Sequence, residues 1–224
     1  MNKKKIFIAV DTNKVSLAKK IIKDTQTNKI KVGYKFGLEF FYSKDGRKFL
    51  SNLKNQTIFL DLKLNDIPNT VVSAMKSLKN LKISYLTVHL SSGLSALKTL
   101  KKESRKIKLI GVTTLTSLNN KDLKEIGYSR KVDELVKHQA KLATKAKLDA
   151  IVCSGHEIRS VKRVFKGEII TPGIKMQNEK NDQKRIMGPA DAFDAGSDWL
   201  VIGRSITNGS IKKNIKNLLK ILED

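Results

Sequence analysis

Ile58-Phe59-Leu60-Asp61-Leu62-Lys63-Leu64-Asn65-Asp66-Ile67-Pro68-Asn69-Thr70 is the stretch on which the reading of this chain turns. It begins as a buried strand would, yet Asp61 and Lys63 break the apolar run. Side chains alternate faces along a strand, so Leu60, Leu62 and Leu64 share one face, and Phe59, Asp61 and Lys63 the other. In a closed parallel barrel both faces are covered, one by helices and one by the barrel interior. An Asp and a Lys side by side in such a place are costly unless paired. The alternative is an amphipathic edge strand carrying a solvated ion pair. Two features favour a functional site: the charges fall at the C-terminal end of the strand, and the next turn adds Asp66 just before Pro68.

Working outward, apolar runs predict strands over 6–11, 30–34, 58–63, 86–89, 109–113, 150–154, 168–171 and 199–203. Amphipathic stretches predict helices over 14–23, 69–79, 95–102, 132–145, 156–165, 189–195 and 211–222. Strands alternating with helices predict parallel βα units. Eight such strands match a (β/α)8 TIM barrel, an α/β fold, here a single domain over 1–224. A doubly wound open sheet stays open at this point, because periodicity does not report closure. The prolines, Pro68, Pro172 and Pro189, all sit just after predicted strands or just before helices. There they start helices or stiffen the βα loops that build the active face of a barrel.

Two further charges interrupt predicted strands. Lys31 lies in Lys29-Ile30-Lys31-Val32-Gly33, read as close to the C-terminal end of its strand, and Asp11 ends the first strand after Ile6–Val10. Taken alone, Lys31 reads as a surface lysine and Asp11 as a helix cap. Together with Asp61 and Lys63 they place charges at the ends of separate strands, converging on one rim.

Composition narrows the classes. The single cysteine, Cys153, excludes an intrachain disulfide and a multi-cysteine metal site. The basic stretch 1–5 is followed by only a short apolar run, and no stretch reaches the length of a membrane span, so a soluble, cytoplasmic chain without membrane association is expected. The formal net charge of +24 is carried mostly by lysine spread from end to end, while arginine is sparse and aromatics make up 6%. That pattern predicts a solvated basic surface that would steer an anionic substrate, rather than a specific nucleic-acid interface. His89, His138, His156, Cys153, Trp199 and the cluster Phe36, Phe40 and Phe41 read as structural or packing residues, and Lys35 as solvent-facing.

The run Asp61-Leu62-Lys63-Leu64-Asn65-Asp66-Ile67-Pro68-Asn69-Thr70 resembles the Asp-x-Lys-x-x-Asp-Ile-Pro-Asn-Thr signature of the orotidine 5′-phosphate decarboxylase family. Ala9-Val10-Asp11, Lys31-Val32-Gly33, Val88-His89, Gly111-Val112-Thr113-Thr114-Leu115-Thr116-Ser117, Val152-Cys153-Ser154, Thr171-Pro172-Gly173-Ile174, 182–187 and 201–207 resemble further family segments, in the family's order. The resemblance implies decarboxylation of orotidine 5′-monophosphate to uridine 5′-monophosphate in pyrimidine biosynthesis, without metal or cofactor.

It also implies roles. Lys63 would stabilise the carbanion at C6 and protonate it. Asp61 would sit beside the departing carboxylate, and Lys31 would pair with Asp61 and hold a ribose hydroxyl. Asp66 and Thr70 would reach the neighbouring site of a homodimer, completing an alternating row Lys31–Asp61–Lys63–Asp66. Asp11 would accept from the ribose and Thr116 would meet the pyrimidine edge. Lys175, Gln183, Gly203 and Arg204 would hold the phosphate, with 173–187 as a lid. Lys175 stands where the family usually has Arg, keeping the charge but losing the forked geometry. Two other classes compete: a Mg²⁺-dependent sugar-phosphate decarboxylase or aldolase of the same barrel superfamily, which has an acid where Lys31 stands, and a non-catalytic nucleic-acid binder.

Overall fold

The computed structural model describes residues 3–176 and 187–223. Eight parallel strands close on themselves in sequence order. They are β1 (Lys5–Ala9), β2 (Lys31–Phe36), β3 (Thr57–Leu64), β4 (Tyr85–His89), β5 (Lys108–Val112), β6 (Ala150–Val152), β7 (Glu168–Thr171) and β8 (Trp199–Ile202). Pairing of β8 with β1 completes the ring, which settles the barrel against the open sheet. Gln183 and the rest of 177–186 lie outside the described residues. Among the described residues no helix is long and apolar enough to cross a membrane.

Two apolar layers follow from the strand alternation. Ile6, Ile8, Leu60, Leu86 and Val88 point outward into the shell packed by the helices. Phe7, Ala9, Phe59, Tyr85, Ile110, Ile170, Trp199 and Val201 fill the interior. Phe7 stacks on Trp199 with ring centroids 4.0 Å apart and meets Phe59 edge-on at 5.1 Å, so aromatic rings plug the N-terminal half of the barrel. Gly33 makes this possible, because a Cβ there would lie 2.6 Å from the Phe7 ring and 2.9 Å from the Thr57 carbonyl oxygen. Outside, the helix Ile211–Glu223 buries Ile211, Ile215, Leu218 and Leu222, the four-three-four spacing of one apolar stripe.

Pro68 and Pro189 each occupy the first turn of a helix, Pro68–Lys76 and Pro189–Asp194, where the missing N–H has no intrahelical role. Two short helices, Leu38–Tyr42 and Gly46–Asn52, fill the connection from β2 to β3, which the apolar periodicity was too brief to reveal. They carry Phe40 and Phe49 onto Phe36, so that aromatic cluster is packing.

One strand departs from its expected phase with consequences for the site. β2 was expected over 30–34, which would put Lys31 near its C-terminal end; it runs instead over Lys31–Phe36. Lys31 is therefore its first residue and pairs in register with Lys5, while Lys35 stands opposite Ala9. The Lys31 Nζ sits 5.7 Å from the Trp199 ring centroid, beneath the aromatic plug. The assignment of Lys31 to the rim, its pairing with Asp61 and its substrate contact are corrected by this placement, as is the reading of Lys35 as a solvent-facing side chain. Lys31, Gly33 and Lys35 share the inward face of β2, so the two lysines end at opposite mouths of the barrel.

Candidate active site

At the C-terminal mouth, the sheet loosens where the charges begin. Leu60 pairs with Leu86, but the next β3–β4 pair is Leu64 with Val88, so three residues of β3 stand against Thr87 alone. Such a bulge re-aims side chains at a barrel rim. Within it Lys63 adopts φ +50°, the left-handed region that non-glycine residues rarely occupy. In a regular strand Asp61 and Lys63 would be separated by two residues of rise, roughly 7 Å. Here the Lys63 Nζ lies 2.9 Å from Asp61 Oδ2. The local distortion thus turns two neighbouring inward positions into an ion pair.

Lys35 supplies a second cation. Its Nζ is 3.7 Å from Asp61 Oδ2 and 3.2 Å from Asp11 Oδ1, so it bridges β3 to the segment after β1. The side chains of Asp61 and Lys35 are only 13% and 14% exposed, against 33% for Lys63 and 60% for Asp11. A carboxylate so withdrawn from water needs the charge it receives from both lysines. Thr87 adds a hydroxyl that donates to Asp61 Oδ1 at 3.0 Å. His89, at the end of β4, is half-buried; burial first, and then the Lys63 ammonium, hold its imidazole below its ordinary pKa, so the ring is neutral at pH 7.

Two adjoining clefts open from this cluster. The smaller, about 240 Å³, is lined by Lys35, Asp61, Lys63, Thr116, Cys153 and Pro172, among others. Gln139 accepts from the Thr114 N–H and hydroxyl at 2.8 and 3.2 Å, which anchors the loop carrying Thr116. Cys153 is buried, and burial followed by the Glu157 carboxylate raises its thiol far above its usual range, so it is an inert wall rather than a nucleophile. The larger cleft, about 570 Å³, shares Lys35, Pro172 and Val201 with the first and adds Asp11, Lys175, Gly203 and Arg204. Its charged lining is three cations, Lys35, Lys175 and Arg204, against the carboxylate of Asp11, a natural place for an anion.

The barrel thus brings Asp11, Asp61, Lys63, Thr116, Lys175, Gly203 and Arg204 to one mouth. It removes Lys31 and adds Lys35 and Thr87, which sequence reasoning missed. Asp66 and Thr70 are exposed just beyond β3. The Asp66 carboxylate accepts from the Ile67 N–H at 2.7 Å and forms no ion pair among the described residues, so within one chain the row of charges is Lys35–Asp61–Lys63. The signal for Lys35 was present in the sequence: it lies four residues past Lys31, in phase on the same inward face. Among the described residues no three His, Cys, Asp or Glu side chains gather as a metal cage.

Comparison with known proteins places this geometry. Residues 4–214 match the family described as orotidine 5′-phosphate decarboxylase / HUMPS. An orotidine 5′-phosphate decarboxylase of Wolbachia pipientis subsp. Culex pipiens is 45% identical over 204 residues, covering 87% of this chain and 89% of that protein. The crystal structure of orotidine 5′-phosphate decarboxylase from Lactobacillus acidophilus superposes with a TM-score of 0.85 at 28% identity, over 99% of this chain and 100% of that one. The enzyme from Methanocaldococcus jannaschii, solved with the inhibitor BMP, shares the fold with a TM-score of 0.79 at 21% identity, over the whole of both chains.

Proposed function

The chain belongs to the orotidine 5′-phosphate decarboxylase / HUMPS family and decarboxylates orotidine 5′-monophosphate, and we propose that Lys63, Asp61 and Lys35 carry that step. The product is uridine 5′-monophosphate and the reaction belongs to pyrimidine biosynthesis.

Breaking the bond between C6 and the carboxylate leaves an electron pair in the plane of the ring, where the ring carbonyls cannot delocalise it. The site must stabilise that charge electrostatically and supply a proton. Lys63 does both: its ammonium faces the developing carbanion and then transfers an Nζ proton to C6, while CO₂ leaves and solvent reprotonates the amine. Asp61 holds Lys63 at 2.9 Å and stands where it would oppose the substrate carboxylate. Lys35 takes the part first expected of Lys31, neutralising Asp61 and, with Asp11, meeting the ribose hydroxyls. Thr116 meets the pyrimidine edge in the smaller cleft. The phosphate enters the cationic cleft, where Arg204 offers a fork of donors, Lys175 a point charge and Gly203 a backbone free of side-chain bulk. Gln183, expected on the lid, would join them.

One observation carries this reading: a lysine in the left-handed region, paired at 2.9 Å to a mostly buried aspartate, facing a cleft sized for a pyrimidine ring. The reading includes a chemistry without metal, supported by the Lys35 ammonium lying between Asp11 and Asp61, where a divalent cation would otherwise draw on both carboxylates. No observation favours the sugar-phosphate enzyme.

We also infer a homodimer. Ile67, which follows the exposed Asp66 and precedes the exposed Thr70 in sequence, is 66% exposed, and Tyr42 and Leu38, in the connection from β2 to β3, are 76% and 45% exposed. Apolar side chains left in water on the connections either side of β3, with a carboxylate that forms no ion pair among the described residues, suit a second copy, whose Lys63 would gain Asp66 as a partner across the interface.

The test is loss of orotidine 5′-monophosphate absorbance in EDTA, with Lys63→Ala beside the parent. EDTA-insensitive turnover that vanishes in the variant is expected. Turnover only on adding Mg²⁺, or an active Lys63→Ala enzyme, overturns the assignment.

A further inference from the structure

Resting on the assignment of Asp61 and Lys63 to the reaction, we propose that Thr87 is a positioning residue. Its one hydroxyl holds the Asp61 carboxylate and the backbone of the reacting lysine in a single geometry.

Thr87 is fully buried in the middle of β4, on the inward face it shares with Tyr85 below and His89 above. An inward barrel position of this kind is ordinarily apolar. Its hydroxyl is not idle: it accepts the Lys63 N–H at 2.8 Å and donates to Asp61 Oδ1 at 3.0 Å. The two bonds determine one another. With a lone pair committed to the N–H, the single hydroxyl proton is directed to the carboxylate.

The first bond answers a local problem of the strand. Because residues 61–63 stand against Thr87 alone, the ladder between β3 and β4 is interrupted there. The Lys63 N–H then needs another acceptor, since a buried amide left without one is destabilising. Thr87 provides it and so supports the φ of +50° at Lys63, a conformation that side chains with a Cβ rarely adopt. The second bond divides the carboxylate. Oδ1 is held by Thr87, which leaves Oδ2 facing the ammonium groups of Lys63 at 2.9 Å and Lys35 at 3.7 Å. Without the hydroxyl, Asp61 is free to turn about its terminal torsion, and the Lys63 ammonium shifts with it.

The role is read in kcat rather than in substrate binding, because the geometry held is that of the proton donor and the carboxylate beside it. Misplacement of reacting groups by about 1 Å costs on the order of 100-fold. Thr87→Val keeps the branched shape and removes the hydroxyl; Thr87→Ser keeps the hydroxyl and removes the methyl. We expect kcat of Thr87→Val to fall roughly 10- to 100-fold with KM within about 3-fold, and Thr87→Ser to recover kcat to within about 3-fold. Thermal melts on all variants, with assays well below the melting range, keep loss of folded enzyme out of the comparison. A Thr87→Val enzyme of parental kcat, a loss confined to KM, or a Thr87→Ser enzyme as slow as Thr87→Val overturns the proposal. If Thr87→Val does not fold, Thr87→Cys replaces it: the weak thiol donor should give an intermediate kcat, and parental kcat there overturns the proposal too. Lys63→Ala separates the two layers. Activity in that variant defeats the mechanism itself, whereas an inactive Lys63→Ala with an unaffected Thr87→Val defeats this inference alone.

Discussion

Replacing Lys35 by Met removes the ammonium that spans Asp11 and Asp61 while keeping a long, apolar stem in the same space. At 3.7 Å and an effective dielectric of about 20, the attraction between Lys35 and Asp61 is about 4.5 kcal/mol before desolvation. The contact with Asp11 is shorter, 3.2 Å, but Asp11 is 60% exposed, so screening reduces that pair to about 1 kcal/mol or less. Lys35 is itself 14% exposed, and withdrawing its charge from water offsets part of the gain. The folded enzyme loses about 2–3 kcal/mol of stability on balance, and because Asp61 also loses a contact that orients it, kcat/KM should fall on the order of 100-fold. The fold should survive, because Lys63 stays 2.9 Å from Asp61 and keeps the carboxylate paired. Lys31→Met is the matched control, since its ammonium lies over Trp199 at the opposite mouth; kcat/KM should stay within about 2-fold, as expected of a surface charge far from the chemistry. The assay is initial rate against orotidine 5′-monophosphate concentration, with a thermal melt of each variant. A larger loss in Lys31→Met than in Lys35→Met would refute the register of β2 and the site built on it.

Two more outcomes test other parts of the structure. Glu168 accepts from Lys5, Lys108 and Tyr85 at the closed mouth; burial pushes its carboxyl up, but the donors, Lys108 first, outweigh it and hold the group below its ordinary 4.5. A depressed carboxyl stabilises the fold above the unfolded value and loses that contribution as pH falls through the folded one, so Glu168→Gln should lower the melting temperature at pH 7 and narrow its gap from the parent below about pH 4.5. An equal gap at pH 7 and pH 3 would exclude this linkage. For the dimer, inactive Lys63→Ala and Asp66→Ala chains, unfolded and refolded together, should regain about a quarter of parental activity, since half the dimers are mixed and each holds one intact site of two. No recovery, with sedimentation reporting a monomer, would remove Asp66 from the site.

Much of this protein was legible without coordinates. The alternation of Phe59, Asp61 and Lys63 against Leu60, Leu62 and Leu64 placed the charges inward, and Phe59 does lie in the barrel interior. Eight strand-like runs, all but the second and third separated by predicted helices, gave the count, and each proline fell on a βα junction. These are properties of local periodicity and backbone chemistry, which residues near in sequence determine by themselves. The family resemblance had the same origin, a contiguous motif from Asp61 to Thr70 whose residues carry their order with them.

What the sequence left undecided was how distant pieces of chain meet. Lys31 and Lys35 are the same residue type in the same phase of one strand, so nothing local separates them. The choice is made by the register of β2 on β1, Lys5 with Lys31 and Ala9 with Lys35, and by the aromatic plug that splits the barrel interior into two ends. Closure likewise depends on the pairing of β8 with β1, the ends of the chain furthest apart in sequence. The bulge that brings Lys63 to Asp61 is a mismatch between two strands, not a property of either, and Thr87 acquires its importance only from standing opposite it. Side-chain type and spacing determine which groups face inward; only long-range packing and register decide which of them share one mouth of the barrel.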